Sequence, residues 1–243
     1  MKIKTIIASV SAVLVVTAMS VAAFWASHIP NDMVCRQVKI NISDSTEYQF
    51  VGEKELLRTL QNNSLSPVGK IMDDISCQAI EDLLLKHDMI RSAECYKLLD
   101  GKVLVNVTQR IPMLCVSSSE GKYYVDSDRK VMPARASIQV QVPIFKGEIS
   151  QQKAITEYYD FAQWLTQNRY WQPRITQVQV QNNNHIVLMQ QPVEGRIILG
   201  ALKDYESKMN RLRKLYVDGL DHIGYKPYKE YDLRYSGQVI GRY

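Results

Sequence analysis

The residues in this sequence that could do chemistry are few and scattered. Its four histidines are His28, His87, His185 and His222, and none has a motif serine or cysteine beside it. Asp126 and Asp128 open a Val125-Asp126-Ser127-Asp128 segment that has the start of a calcium loop, but the glycine and closing glutamate of an EF-hand are missing. A turn is the better reading. There is no HExxH, GxSxG or glycine-rich phosphate loop. The pattern points away from catalysis and from any cofactor or small-molecule substrate.

Cys35, Cys77, Cys95 and Cys115 lie far apart, without a CxxC pair or a histidine at zinc-ligand spacing. An even count in an exported chain permits disulfides, while free cysteine is among the most buried residue types. Four packed thiols are the expectation. The fourteen tyrosines, enriched after Tyr205, suit a carbohydrate surface, a sheet core or a protein interface equally well.

These residues must be positioned by 243 residues of ordinary globular composition, 46% hydrophobic and 23% charged. That length suggests two modest domains. Lys2 and Lys4 precede the first apolar run, leaving 28 basic against 25 acidic residues beyond it, which is too balanced for a nucleic-acid partner. From Thr5 to Ser27 no residue is charged, and Ile6 to Ala26 is long enough to cross a bilayer as a helix. The two lysines before it and Asp32 after it put the N-terminus in the cytoplasm, with Trp25 at the outer interface. A cleaved signal peptide is disfavoured because its apolar core is usually shorter.

The exported part begins near Val34. A strand at Val38 to Ile42 is followed by helices at Glu53 to Asn62 and Ser76 to Met89, with His87 at the edge of the core. Strands at Ser92 to Leu98 and Lys102 to Arg110 flank Asp100-Gly101, a hairpin signal. The order strand, helix, helix, strand, strand describes an α+β unit with helices on one face of a small sheet. After Pro112 strands predominate, at Met113 to Ser117, Lys122 to Asp126 and Pro143 to Lys146. A helix is expected from Gln151 to Asn168, then strands at Arg174 to Gln181, His185 to Met189 and Gly195 to Leu199, and a charged helix from Lys203 to Asp218. The tail, Tyr231 to Ile240, alternates Tyr231, Leu233 and Tyr235 with Asp232 and Arg234, which predicts one final strand near a sheet edge.

Several segments resemble the bacterial cell-division family FtsQ, also called DivIB. Ile90-Arg91-Ser92-Ala93, Val103-Leu104-Val105-Asn106-Val107 and Gln109-Arg110-Ile111-Pro112 look like its V-x-x-A, L-x-I-x-V and E-R-x-P signatures. Tyr124-Val125-Asp126 through Val131-Met132 is similar to its V-D-x-x-G-x-V-F segment, and Pro143-Ile144-Phe145-Lys146-Gly147 to L-P-x-L-x-G. Tyr231-Asp232-Leu233-Arg234-Tyr235 looks like I-D-L-R-Y. Arg129 stands at the usual glycine, Gln109 at the usual glutamate, and the first strand lacks a clear I-x-G-N.

The resemblance implies a cytoplasmic tail (1–4), a transmembrane helix (5–27), a POTRA domain (34–112, β-α-α-β-β) and a mixed β-domain (113–243) with packed helices and a C-terminal edge strand. It implies a non-enzymatic scaffold in the inner membrane, exported to the periplasm and enriched at the septum. Its partners would be the lipid bilayer through residues 5–27 and FtsB/FtsL-type coiled-coil proteins, bound by β-strand addition. The residues expected at that edge are Arg234, Tyr235, Ser236, Gly237, Gln238, Val239, Ile240, Arg242 and Tyr243. The alternative is a POTRA-type chaperone of outer-membrane protein assembly or transport.

Overall fold

A computed structural model describes residues 15–21, 33–43, 50–134, 140–182, 185–191, 195–220 and 228–243. Residues 15–21 are helical. Among the described residues no helix is long and apolar enough to cross a membrane, and most of the expected 5–27 span, with Trp25, lies outside them.

The first unit follows from simple periodicities. Strand β1 (Gln37–Ile42) buries Val38 and Ile40, and helix α1 (Glu53–Asn62) buries Leu56 and Leu60 one turn apart. Glu53 and Glu55 sit favourably in the first turn of α1. A short 3-10 turn (Met72–Asp74) leads to α2 (Cys77–Leu85), capped by Ser76, whose hydroxyl accepts from the Ala79 N–H at 3.2 Å. Helix α2 stops four residues short of the expected Met89. Lys86 and His87 bond back to Leu83 and Leu84, and the His87 ring nitrogen takes the Met89 N–H at 3.2 Å, turning the chain into the next strand.

Strands β2 (Ile90–Lys97) and β3 (Lys102–Gln109) complete a sheet of order β1-β3-β2, with β1 parallel and β2 antiparallel to β3. Val103, Val105 and Val107 of the central strand are fully buried beneath the helices, the face that alternation assigns them.

Only Arg110 and Ile111 separate β3 from a nine-stranded sheet. Its strands are β4 (Pro112–Ser118), β5 (Gly121–Asp126), β6 (Val131–Pro133), β7 (Ile144–Lys146), β8 (Ile175–Gln181), β9 (His185–Gln190), β10 (Arg196–Gly200), β11 (Glu230–Asp232) and β12 (Ile240–Arg242). Their order across the sheet is β12-β11-β10-β9-β8-β7-β4-β5-β6. Helices α3 (Gln151–Ala154), α4 (Glu157–Gln167) and α5 (Tyr205–Lys214) accompany the sheet. Phe161 and Leu165 of α4 and Met209 and Leu212 of α5 join Val116, Phe145, Leu188 and Ile197 of the sheet in one core.

Two expected helices are revised. Gln151 to Asn168 is broken at Ile155 and Thr156, consecutive β-branched residues, where the Thr156 hydroxyl donates back to the Gln152 carbonyl at 2.7 Å. Lys203 to Asp218 shortens to α5 followed by a wider π turn, Leu215–Leu220. The four cysteines are free thiols, three buried and Cys77 half-buried.

Candidate binding edge

The single strand expected from Tyr231 to Ile240 is not formed. Tyr231 and Asp232 belong to β11, which is paired on both sides, parallel to β10 and antiparallel to β12. Residues 233–239 then fold back over the sheet. The reason lies in Gly237, which turns at φ +76°, and in Leu233, which is buried and donates its N–H to the Ile198 carbonyl at 2.9 Å. Arg234, Tyr235, Ser236, Gly237 and Gln238 are therefore exposed loop residues, while Val239 packs partly against the core. Ile240 and Arg242 lie in the outermost strand, followed by Tyr243, which is 75% exposed.

Hydrogen bonds fix which backbone groups face outward. The Lys229 carbonyl accepts from Arg196 and the Leu233 N–H donates to Ile198, so residues 231 and 233 address β10, while the Lys229 N–H donates to the Arg242 carbonyl of β12 at 2.9 Å. Glu230 and Asp232 then address β12 through their register partners Arg242 and Ile240. The intervening Gly241 turns both its N–H and its C=O to the far side of β12, where no strand pairs among the described residues. On the core face a side chain at Gly241 would meet the Tyr228 ring at 2.4 Å; that ring fills the space and contacts Tyr231 and Tyr243 at 5.7 and 4.8 Å between centroids.

The opposite face carries a charge ladder. Glu230 accepts from Arg196 at 2.9 Å and from Arg242 at 2.7 Å. Asp232, fully buried, is gripped in two-pronged fashion by Arg234 at 2.9 and 2.7 Å and also accepts the Arg234 backbone N–H at 3.1 Å. The Arg234 guanidinium and backbone hold the Asp232 carboxyl below its usual range, against the opposing effect of burial. Arg234 in turn lies over Gly200, where a Cβ would approach its side chain to 2.8 Å, and Arg211 of α5 donates to the Tyr235 carbonyl at 3.3 Å. The first half of the loop that frames the edge is thus tied down. Sequence reasoning missed Gly241, Tyr228, Arg196 and Glu230; the signal available was a glycine inside an otherwise β-like tail.

The other edges are blunted. β6 carries Pro133, which has no N–H to offer. The N–H of Cys95, midway along β2, is taken by the Glu81 carboxylate of α2 at 2.7 Å. The start of β1 is covered by the 67–72 segment, through Cys35 to the Lys70 carbonyl at 2.9 Å and a Val34–Ile71 bridge.

Residues 111–242 match the family described as FtsQ/DivIB, C-terminal related, over more than half of the chain. The chain belongs to that family. Residues 33–108 match a POTRA-like domain, the β-α-α-β-β unit described above. No curated protein matches. Membership of the FtsQ/DivIB-related family makes this a division-related protein with a POTRA-like unit and a large β-domain, and it does not favour a role in outer-membrane protein assembly.

Proposed function

We propose that the protein is a membrane-tethered, non-enzymatic scaffold of the cell-division machinery. It takes up a strand from an FtsB/FtsL-type partner along β12. The observation that carries this reading is Gly241, whose backbone donor and acceptor both face the open side of a sheet whose opposite end is closed by proline. Arg234, Arg242, Tyr235 and Tyr243 are exposed beside that edge and give an incoming strand charge and aromatic surface to select against. Residues 5–27 tether the scaffold to the inner membrane, which concentrates the edge near partners held in the same bilayer.

The test is capture of the two coiled-coil partners by the full chain carrying Gly241→Pro, with Tyr243→Ala as a variant that leaves the backbone intact. Losing one or two main-chain hydrogen bonds should weaken binding by roughly tenfold. Wild-type affinity in a Gly241→Pro protein with an unchanged unfolding midpoint would remove β12 from the mechanism.

A further inference from the structure

The POTRA-like unit has an apolar tip at the end where the chain enters it. β1 runs parallel to β3 with Gln37 opposite Lys102, so the approach to β1 and the turn between β2 and β3 share one end of the sheet. There Met33, Val34, Val68, Ile71, Leu98 and Leu99 are all exposed, Leu99 at 97% and Val68 at 54%. The group is knit together by backbone. Met33 accepts from Met72 at 2.8 Å, Arg36 donates to Gly101 at 2.9 Å, and a Cβ at Gly101 would stand 3.3 Å from the Met33 sulfur.

The turn itself is rigid. Leu98 donates to Lys102 at 2.8 Å and accepts from Gly101 at 3.2 Å, with Gly101 left-handed at φ +76°. This geometry thrusts Leu99 outward at the apex, a place where a water-facing hairpin would carry a polar residue. Among the described residues nothing covers this leucine.

We propose that this tip dips into the bilayer interface beside the point where the chain leaves the membrane. This rests on the reading of residues 6–26 as an anchor. Only six residues separate Ala26 from Met33, a leash of roughly 24 Å at full extension, so the tip cannot stray far from the headgroups. A convex apolar apex suits a fluid surface, whereas a protein partner would need a matching hollow. Lys97 and Lys102 flank the apex, Lys97 donating to the Asp73 carbonyl at 3.4 Å and Lys102 paired with Asp100 at 2.6 Å; their flexible stems let the ammonium groups exchange these exposed contacts for lipid phosphates while the leucines enter the acyl boundary. The consequence is orientation: the POTRA-like unit stands on the membrane on one defined end.

The full chain is reconstituted into vesicles of phosphatidylethanolamine and phosphatidylglycerol, in a Cys77→Ser background whose three remaining thiols are buried. An environment-sensitive dye is placed by Leu99→Cys, or by Ser92→Cys near the other end of β2, roughly 20 Å away. The expected result is loss of emission to a lipid-borne nitroxide at position 99 and none at position 92. Alkaline extraction of the same vesicles reports the anchor separately. A retained chain whose position 99 remains open to a water-soluble quencher overturns the proposal while sparing the anchor. Protection at 99 that needs native membrane proteins overturns it too, and assigns the tip to a protein partner.

Discussion

At the scale of single residues, side-chain contacts at two turns do most to fix the geometry. Asp232 has its pKa lowered, chiefly by Arg234, so its contribution to stability is present above the ordinary carboxylate range and is lost as pH falls from roughly 4 through the folded-state value. Asp232→Asn should cost roughly 1–2 kcal/mol at pH 7, because the two partner arginines are exposed enough to rehydrate. The cost should shrink in urea titrations as the pH is taken below roughly 4; a difference independent of pH would mean that shape, and not charge, holds the loop. Arg129 is the second case. It occupies the family's glycine, and its backbone is indeed left-handed at φ +62°. What sustains it is the side chain, stacked 4.2 Å from the Tyr159 ring centroid and bonded to the Ile155 carbonyl at 3.0 Å and to Asp160 at 2.6 Å. Arg129→Ala keeps the strain and loses the contacts, so it should lower stability by roughly 1–2 kcal/mol, with Arg129→Gly falling in between. An alanine variant more stable than the glycine one in thermal unfolding would contradict this. Sequence alone showed the departure from glycine but could not show its compensation, since Tyr159 and Asp160 are some thirty residues away. Gln109, at the family's glutamate, is explained the same way: its amide oxygen accepts from Phe50 and Val51, both at 2.9 Å, as a carboxylate would.

Among elements, legibility depended on length and period. α1 and the strands flanking Asp100-Gly101 were readable because each buries one clean stripe or alternation within its own segment. The tail was not, because Tyr231, Leu233 and Tyr235 alternate like a strand while Leu233 and Arg234 are bound by partners on β10 and β11 that bend the chain away. Edges are likewise invisible in sequence, as pairing is a property of neighbours. The β2 edge shows how a long edge is kept quiet: Glu81 reaches from α2 to cover the Cys95 N–H, and Arg91, Glu94 and Lys97 are exposed along the strand. Glu81→Ala should uncover that donor and promote self-association of the POTRA-like unit. Sedimentation velocity at rising concentration reads this directly, with the variant forming dimers where the parent stays monomeric; equal profiles would show that the outward charges suffice.

For the molecule as a whole, the distance between the junction and the edge matters most. The POTRA-like unit joins at β4, and six strand spacings separate β4 from β12, about 29 Å along the sheet. The junction itself is braced: Asp126 takes Arg110 at 2.7 Å and Asp128 takes Arg91 at 2.8 Å, while the Tyr159 hydroxyl donates to Ser127 at 2.9 Å. A braced junction transmits orientation, so a unit fixed at the membrane would present β12 at a set height to partners rising from the same bilayer. On the proposed function, that arrangement separates two quantities, the intrinsic affinity of β12 and the local concentration an anchor would supply. Replacing residues 1–27 with a cleaved export signal should leave partner affinity in solution unchanged yet abolish midcell recruitment and yield filamentous cells, and an unrelated single-pass helix in the same orientation should restore division. If the untethered chain still gathered at midcell, contacts of the folded part would be sufficient, and the anchor would be reduced to a convenience of export.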